Sequence, residues 1–240
     1  MVDPHHLAHW YPTAAYLYVL GLDALALAWE YLRRHPEYRL DWLRRSRRPD
    51  VAHRWGLRLL EDPALDARDA HPAWLPSHAA VVHLYPDADP PPDAVAFAFW
   101  HIPGHKQLIH DGKGLVLIAG SPGHCLRFAL APGLEDGMAV AYAHRGGTIA
   151  PTRSHALGAA LVDARSRPTP AALMELHTLQ ALDAALAGAS LRETAAGLFG
   201  AEAVAADWYT DGGLRSRMRR LVRRGQSLMR GGYRRLAQLE

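Results

Sequence analysis

A single cysteine, Cys125, stands in the 240 residues, so no internal disulfide can form and the fold must rest on a buried core. No apolar run reaches the roughly 20 residues that a membrane-crossing helix needs. The opening Met1-Val2-Asp3-Pro4-His5-His6 lacks the basic stretch followed by an apolar one that marks a secretory leader. These absences lead to the expectation of a cytoplasmic protein with no membrane partner. Catalytic signatures are missing as well. Gly120-Ser121-Pro122-Gly123 is neither a G-x-S-x-G elbow nor a phosphate loop, and a turn explains it better. No carboxylate pair stands at a useful spacing, so no enzyme, no catalytic residue and no cofactor are expected. Paired zinc ligands are also lacking. His101, His105 and His110 lie close together and His124 sits beside Cys125, but Pro103-Gly104 forbids an i, i+4 presentation on a helix. No metal is expected there, nor at His5, His6 and His9.

Lysine is absent from the last 27 residues, Leu214 to Glu240, which hold nine arginines against one carboxylate in a chain of formal net charge +3. At 100° per residue, Leu214, Met218, Leu221, Val222, Gly225, Leu228 and Met229 share one side. Arg215, Arg217, Arg219, Arg220, Arg223, Arg224 and Arg230 share the other. Such a run can be a solvated face, or one lying on acidic lipid or a partner protein. Arginine, however, presents a planar fork of donors that suits phosphate and the major-groove edge of guanine. The pattern therefore predicts a helix that docks by one flank and meets double-stranded DNA by the other.

The residues upstream supply its setting. From Pro168-Thr169-Pro170, Leu173, Leu176, Leu179, Leu182 and Leu186 recur at helical intervals until Gly188. Ser190-Leu191-Arg192-Glu193 reads as a capping box, and Leu191, Ala195, Leu198 and Phe199 form a short one-sided helix closed by Gly200. This pair resembles the first helices of a helix-turn-helix. Thirteen residues, Ala201 to Gly213, then separate Gly200 from Leu214, where the usual turn takes about three or four. A standard turn would put the recognition helix at Ala201 to Tyr209. That stretch carries Glu202 and Asp207 and no basic group, and its Val204 and Trp208 read as core anchors. Recognition is therefore assigned to the arginine-rich helix, with Asp211, Gly212 and Gly213 as its turn and cap. Arg215, Ser216, Arg219 and Arg220 are expected near base edges, and Arg217, Arg223 and Arg224 on phosphates. Beyond a break at Gly231-Gly232, Tyr233, Leu236 and Leu239 should pack while Arg230, Arg234 and Arg235 face the DNA backbone.

Hydrophobic residues make up 49% of the chain, enough for a globular core rather than disorder. The fold class expected is α+β, in three segments. Residues 1–75 form a helical segment in which Leu22, Leu25, Trp29 and Leu32 line a helix that Pro36 ends, with Trp29, Tyr38 and Trp42 as packing anchors. Arg33, Arg34, Arg39, Arg44, Arg45, Arg47 and Arg48 make a second basic cluster there, suited to DNA, to a polymerase subunit or to solvent. Residues 76–167 form a β-rich middle, with strand-like runs at 79–85, 95–101, 115–119, 125–130 and 138–144 in a small, mostly antiparallel sheet. A helix near 154–164 follows. Residues 168–240 form the all-α DNA-binding domain.

Specific resemblance enters at this point. Ala187 to Ala195, Leu198-Phe199-Gly200, Trp208, Leu214 to Leu221 and Gly231 to Leu236 together resemble the C-terminal domain of FseA-type activators. Those are proteobacterial transcriptional regulators of integrative and conjugative elements, in which this domain is a helix-turn-helix variant. Trp29-Glu30-Tyr31-Leu32-Arg33-Arg34-His35-Pro36-Glu37-Tyr38-Arg39, with Asp41-Trp42, resembles the regulator-like segment that accompanies it. The chain departs from the pattern at His35, where asparagine is usual, and at Leu236-Ala237, where a leucine pair is usual. The resemblance implies an activator of excision and transfer genes, with RNA polymerase and an antiactivator protein as further candidate partners. It also implies an alternative, an antiactivator or assembly factor that binds another regulator rather than DNA. The retained arginine face favours DNA.

Overall fold

The computed structural model describes residues 10–47, 49–75, 82–92, 94, 96–102, 105–110, 114–121, 124–143, 150–151, 169–209, 213–237 and 239. Its architecture is α+β, with helices toward both ends of the chain and a mixed sheet in the middle. Two compact units emerge from the contacts. One gathers Met1–Leu40 with Pro168–Tyr233, and the other Asp41–Arg167 with Arg234–Glu240.

The helices are α1 (Ala24–Leu32), α2 (Pro36–Leu43), α3 (Pro170–Leu186), α4 (Leu191–Phe199), α5 (Ala201–Asp207), α6 (Leu214–Ser227) and α7 (Tyr233–Leu236). In the first unit α3 is central. Thr169 caps it by accepting from the Ala172 N–H at 3.1 Å, and Pro170 follows in the first turn, where its missing N–H costs nothing. The expected leucine stripe is only part of its buried surface. Leu176, Leu179 and Leu182 are buried, Leu173 and Leu186 at the two ends are exposed, and Glu175, Thr178 and Gln180 are buried as well. A helix covered on several sides buries polar positions too, provided they find partners. The 3-10 segment Thr13–Gly21 and the residues just before it supply some of them. The Gln180 amide donates to the Trp10 carbonyl at 3.0 Å and accepts from the Thr13 hydroxyl at 3.3 Å, and the Tyr16 hydroxyl donates to Asp183 Oδ2 at 2.7 Å.

The capping box at the start of α4 is present in both directions, Ser190 N–H to Glu193 Oε2 at 2.7 Å and Glu193 N–H to Ser190 Oγ at 3.2 Å. Gly200, at φ 88°, ends α4 and leads directly into α5. The stretch expected to be a long connection is thus largely a helix, and its Val204 is buried with Trp208 packed beside it. Ala181 of α3, Ala195 of α4, Val204 of α5 and Leu214, Met218 and Leu221 of α6 close one apolar core. Burying a side chain such as Met218 or Leu221 contributes about 1.5–3 kcal/mol each.

Pro36 does more than end a helix. The first helix already stops at Leu32, through a tight turn in which His35 N–H donates to the Leu32 carbonyl at 2.9 Å. Pro36 then begins α2, where its fixed φ is preorganised and no hydrogen bond is lost. His35 Nδ1 accepts the Glu37 N–H at 3.1 Å and so takes the capping position. Leu22 lies ahead of α1, which starts after Asp23. Trp29 and Tyr38 are fully buried and meet edge to face, with centroids 5.7 Å apart.

In the second unit six strands, β1 (Val82–Pro86), β2 (His105–His110), β3 (Leu115–Ser121), β4 (His124–Leu130), β5 (Val140–Ala143) and β6 (Ala150–Pro151), lie in the order β2-β3-β4-β1-β5-β6. Only β1 and β4 run parallel, so the sheet is mostly antiparallel as expected. Leu84, Leu117, Ala119 and Phe128 form its core, with Leu117 directly opposite Phe128. Two expectations change. Residues 96–101 are not a strand. Ala96 makes one bridge to Ala139, Phe97 exchanges backbone hydrogen bonds with Met138 and Gly137, and Phe99 N–H is captured by the Asp136 carboxylate at 2.7 Å, which starts a 3-10 turn, Phe99–His101. The strand that pairs with β3 is instead β2, in a histidine-bearing stretch for which no strand was expected. The helix expected near 154–164 lies outside the described residues.

At Gly225, α6 comes close to α3. A Cβ there would meet Leu182 Cβ at 2.9 Å and the Thr178 carbonyl at 3.2 Å. Gly225→Val should therefore lower the unfolding free energy by about 2 kcal/mol through overpacking, despite the better helix former. Urea unfolding followed by circular dichroism checks this, and an unchanged midpoint contradicts the close approach.

Candidate nucleic-acid interface

Along α6 the buried positions are Leu214, Met218, Leu221 and Gly225, a spacing of four, three and four that keeps one stripe of the helix against α3, α4 and α5. Everything basic is left on the other side. Arg215, Ser216, Arg217, Arg219, Arg220, Arg223 and Arg224 are exposed. The helix then passes into a five-residue π turn, Leu228–Gly232, whose Met229 is buried and whose Arg230 is exposed. Gly231, at φ 153°, breaks the helical geometry as the glycine pair predicted, after which Tyr233 is buried and Arg235 exposed. Between Gly213 and Leu239 the chain contains no carboxylate. A polyanion approaching this surface meets a field of one sign, undiluted along the element that creates it.

Three of the ten expected contact residues have additional engagements. Arg224 forms an ion pair with Glu175, whose other oxygen accepts from the Tyr31 hydroxyl at 2.6 Å. Arg217 lies over the Phe199 ring, 4.6 Å from its centroid, and Phe199 in turn packs on His177 at 5.3 Å. Burial, then the Arg217 charge, holds the His177 imidazole below its ordinary range. Arg234, expected on phosphate, is only partly exposed and donates to the Arg54 backbone carbonyl. Arg215, Arg219, Arg220, Arg223, Arg230 and Arg235 pair with no carboxylate among the described residues. At the start of α6, Gly213 takes a left-handed conformation at φ 75° and no side chain among the described residues caps the helix; the expected Asp211 and Gly212 lie outside the described residues.

Sequence reasoning missed the buried polar network that fastens residues 10–40 to this unit. Arg34, grouped with the second basic cluster, is 8% exposed. Its guanidinium forks onto Asp183 at 2.6 and 2.8 Å and also reaches Glu30 Oε2 at 2.5 Å, while Arg33 joins Glu30 at 2.8 Å. Burial alone would push the Asp183 carboxyl up. The Arg34 charge and the hydrogen bonds from Arg34 and Tyr16 outweigh it and hold the group below the usual carboxylate range. Glu30 is lowered in the same way, burial opposed by Arg34 and Arg33. The Tyr18 hydroxyl, buried near Glu30, is pushed up to about 12. A signal for the network was present in the polar Glu175, Thr178, Gln180 and Asp183 that interrupt the leucines of α3. Of the rest of the basic cluster, Arg39, Arg44 and Arg45 are exposed, Arg48 lies outside the described residues, and Trp42, one of the expected anchors, is half-buried under Arg45.

Residues 9–59 match the model of a proteobacterial transcriptional regulator-like domain, and residues 138–238 match that of a T6SS transcription factor DNA-binding domain. Residues 79–126 match a domain of unknown function (DUF7011). No curated protein matches the chain. The regulator-like and DNA-binding matches support a DNA-binding transcriptional regulator, with DNA as its partner, and α6 with its arginines falls inside the second of them. No helix among the described residues is long and apolar enough to cross a membrane.

Because folding lowers both carboxyls, their contribution is fully present above the unfolded-state value of about 4 and is lost as pH falls below it. Arg34→Met should cost about 3–5 kcal/mol at neutral pH by stranding buried charge. It should also introduce a slope that the parent lacks between pH 7 and pH 5, acidification stabilising the variant as its carboxyls take up protons. Thermal melts across that range check the sign; a variant as insensitive to pH there as the parent contradicts the network.

Proposed function

We propose that this chain is a sequence-specific transcriptional activator that reads promoter DNA with α6 and has no catalytic role. The observation that carries the reading is the exposed arginine face of α6, free of carboxylates along its own length and lying within residues similar to a DNA-binding domain. In this proposal the helix N-terminus enters the major groove as the recognition element of a helix-turn-helix variant. Arg215, Ser216, Arg219 and Arg220 meet base edges. Arg217, Arg223, Arg224, Arg230 and Arg235 neutralise phosphates, and Arg234 holds the terminal turn in place. The activator role, and promoters of excision and transfer genes on a mobile element as its targets, follow from the resemblance to FseA-type activators.

Mobility shifts on promoter DNA from the neighbouring genes, at two salt concentrations, test the assignment. Arg219→Ala should reduce discrimination between promoter and unrelated DNA by about 1–3 kcal/mol. Arg223→Ala should instead weaken both alike and lower the salt slope by about 1. Sequence-blind losses from both variants would reduce Arg219 to a backbone contact. An unshifted wild-type chain that still captures another regulator would replace the activator with an antiactivator.

A further inference from the structure

We infer that the regulator-like segment supplies a second contact to the DNA backbone, a patch built from Arg44, Arg45 and Arg54. The inference rests on the DNA-binding reading and extends it to a surface outside α6. Between Asp41 and Arg58 the chain carries six arginines against two aspartates, Asp41 and Asp50. The fold of the second unit brings one of them, Arg54, to the C-terminal arginines. Arg234 donates to the carbonyl of Arg54, 180 residues earlier in the sequence, and the Leu239 side chain packs against Gly56, whose φ of 76° and lack of a Cβ make room for it. The C-terminal turn is thereby seated on the 3-10 segment Pro49–Trp55, and Arg235 next to Arg234 is exposed.

The end of α2 joins the same place. Asp41 is buried, accepting from the Trp55 indole N–H at 3.0 Å and facing Arg54 at 3.5 Å, so it serves the interior while Arg54 keeps 54% of its side chain exposed. Two of the guanidiniums are laid on indoles. Arg45 sits 3.8 Å above the Trp42 ring and also donates to the Trp42 carbonyl at 3.0 Å, and Arg54 lies 4.7 Å from the Trp55 ring. A guanidinium held over an indole has already lost much of its rotational freedom. It suits phosphate oxygens and loses less entropy on binding than a free side chain. The excess of arginine over aspartate sets the sign of the patch.

The salt dependence of DNA affinity, on promoter and unrelated duplexes, tests this with the full chain carrying Arg45→Ala, Arg54→Ala, and the double Arg44→Ala, Arg45→Ala. Each lost phosphate contact should lower the slope of log affinity against log salt by about 1, with equal weakening on both duplexes and an unchanged ratio between them. Should Arg54→Ala disturb folding through Asp41, the double, which leaves Asp41 and Arg54 in place, decides alone. A double variant that binds both duplexes as wild type does, while Arg219→Ala still loses its preference, overturns the second contact and leaves the α6 reading intact. Normal DNA affinity with lost promoter activation also overturns it and assigns the patch to a protein. A wild-type chain that binds no DNA overturns both.

Discussion

Two carboxylates on one helix hold the first unit in register. Asp183 of α3 receives the Arg34 fork and the Tyr16 hydroxyl, and Glu175, two turns earlier, receives Tyr31 and Arg224. One acid thus ties the N-terminal segment to α3, and the other ties both that segment and the arginine helix to it. Desolvating these charges costs nearly as much as their attraction returns, so the pairs add little net stability over an apolar core of equal volume. Their effect lies in what they forbid. Any arrangement in which α1 or α6 slips by a turn strands a charge in the interior.

The same residue type does three different jobs within a short distance, and surroundings rather than identity decide which. Arg34 is buried and fully occupied by acids. Arg217 covers an aromatic ring of the core and keeps its outer edge in solvent. Arg219 and Arg220 stand exposed with no acid partner among the described residues. A net charge of +3 conceals this division, because cations without an acid partner among the described residues gather on a few elements.

Elements specified by local chemistry were legible in the sequence. The capping box at Ser190, the closing glycine at 200, the apolar stripe of α6 and the break at Gly231 all appear where short-range rules put them. So do β3 and β4, whose continuous apolar runs suit interior strands. What escaped was decided by distant partners. Residues 96–101 have strand composition, yet Asp136 and Met138 draw their backbone into a turn. β2, which pairs with β3 alone among the described residues, carries histidine, lysine and glutamine, so it lacks the apolar run by which strands were recognised. Arg34 reads as part of a basic cluster until Asp183, 149 residues away, is placed beside it. The face of the candidate site was readable from its period, whereas the binding of Arg224 and Arg234 to the protein's own groups was not.

The composition of the first unit from two distant stretches bears on how the chain acquires its shape during synthesis. Residues 10–40 leave the ribosome long before α3 and α6 exist, and closing so long a loop is entropically slow. Until then Trp29, Tyr31 and Leu32 have no interior to enter, and they present greasy surface to chaperones or to like chains. The arginine helix follows α3, α4 and α5 in the chain. A product interrupted before it would lack Leu214, Met218 and Leu221, the side chains with which α6 closes their shared apolar core, and would leave that core open to solvent.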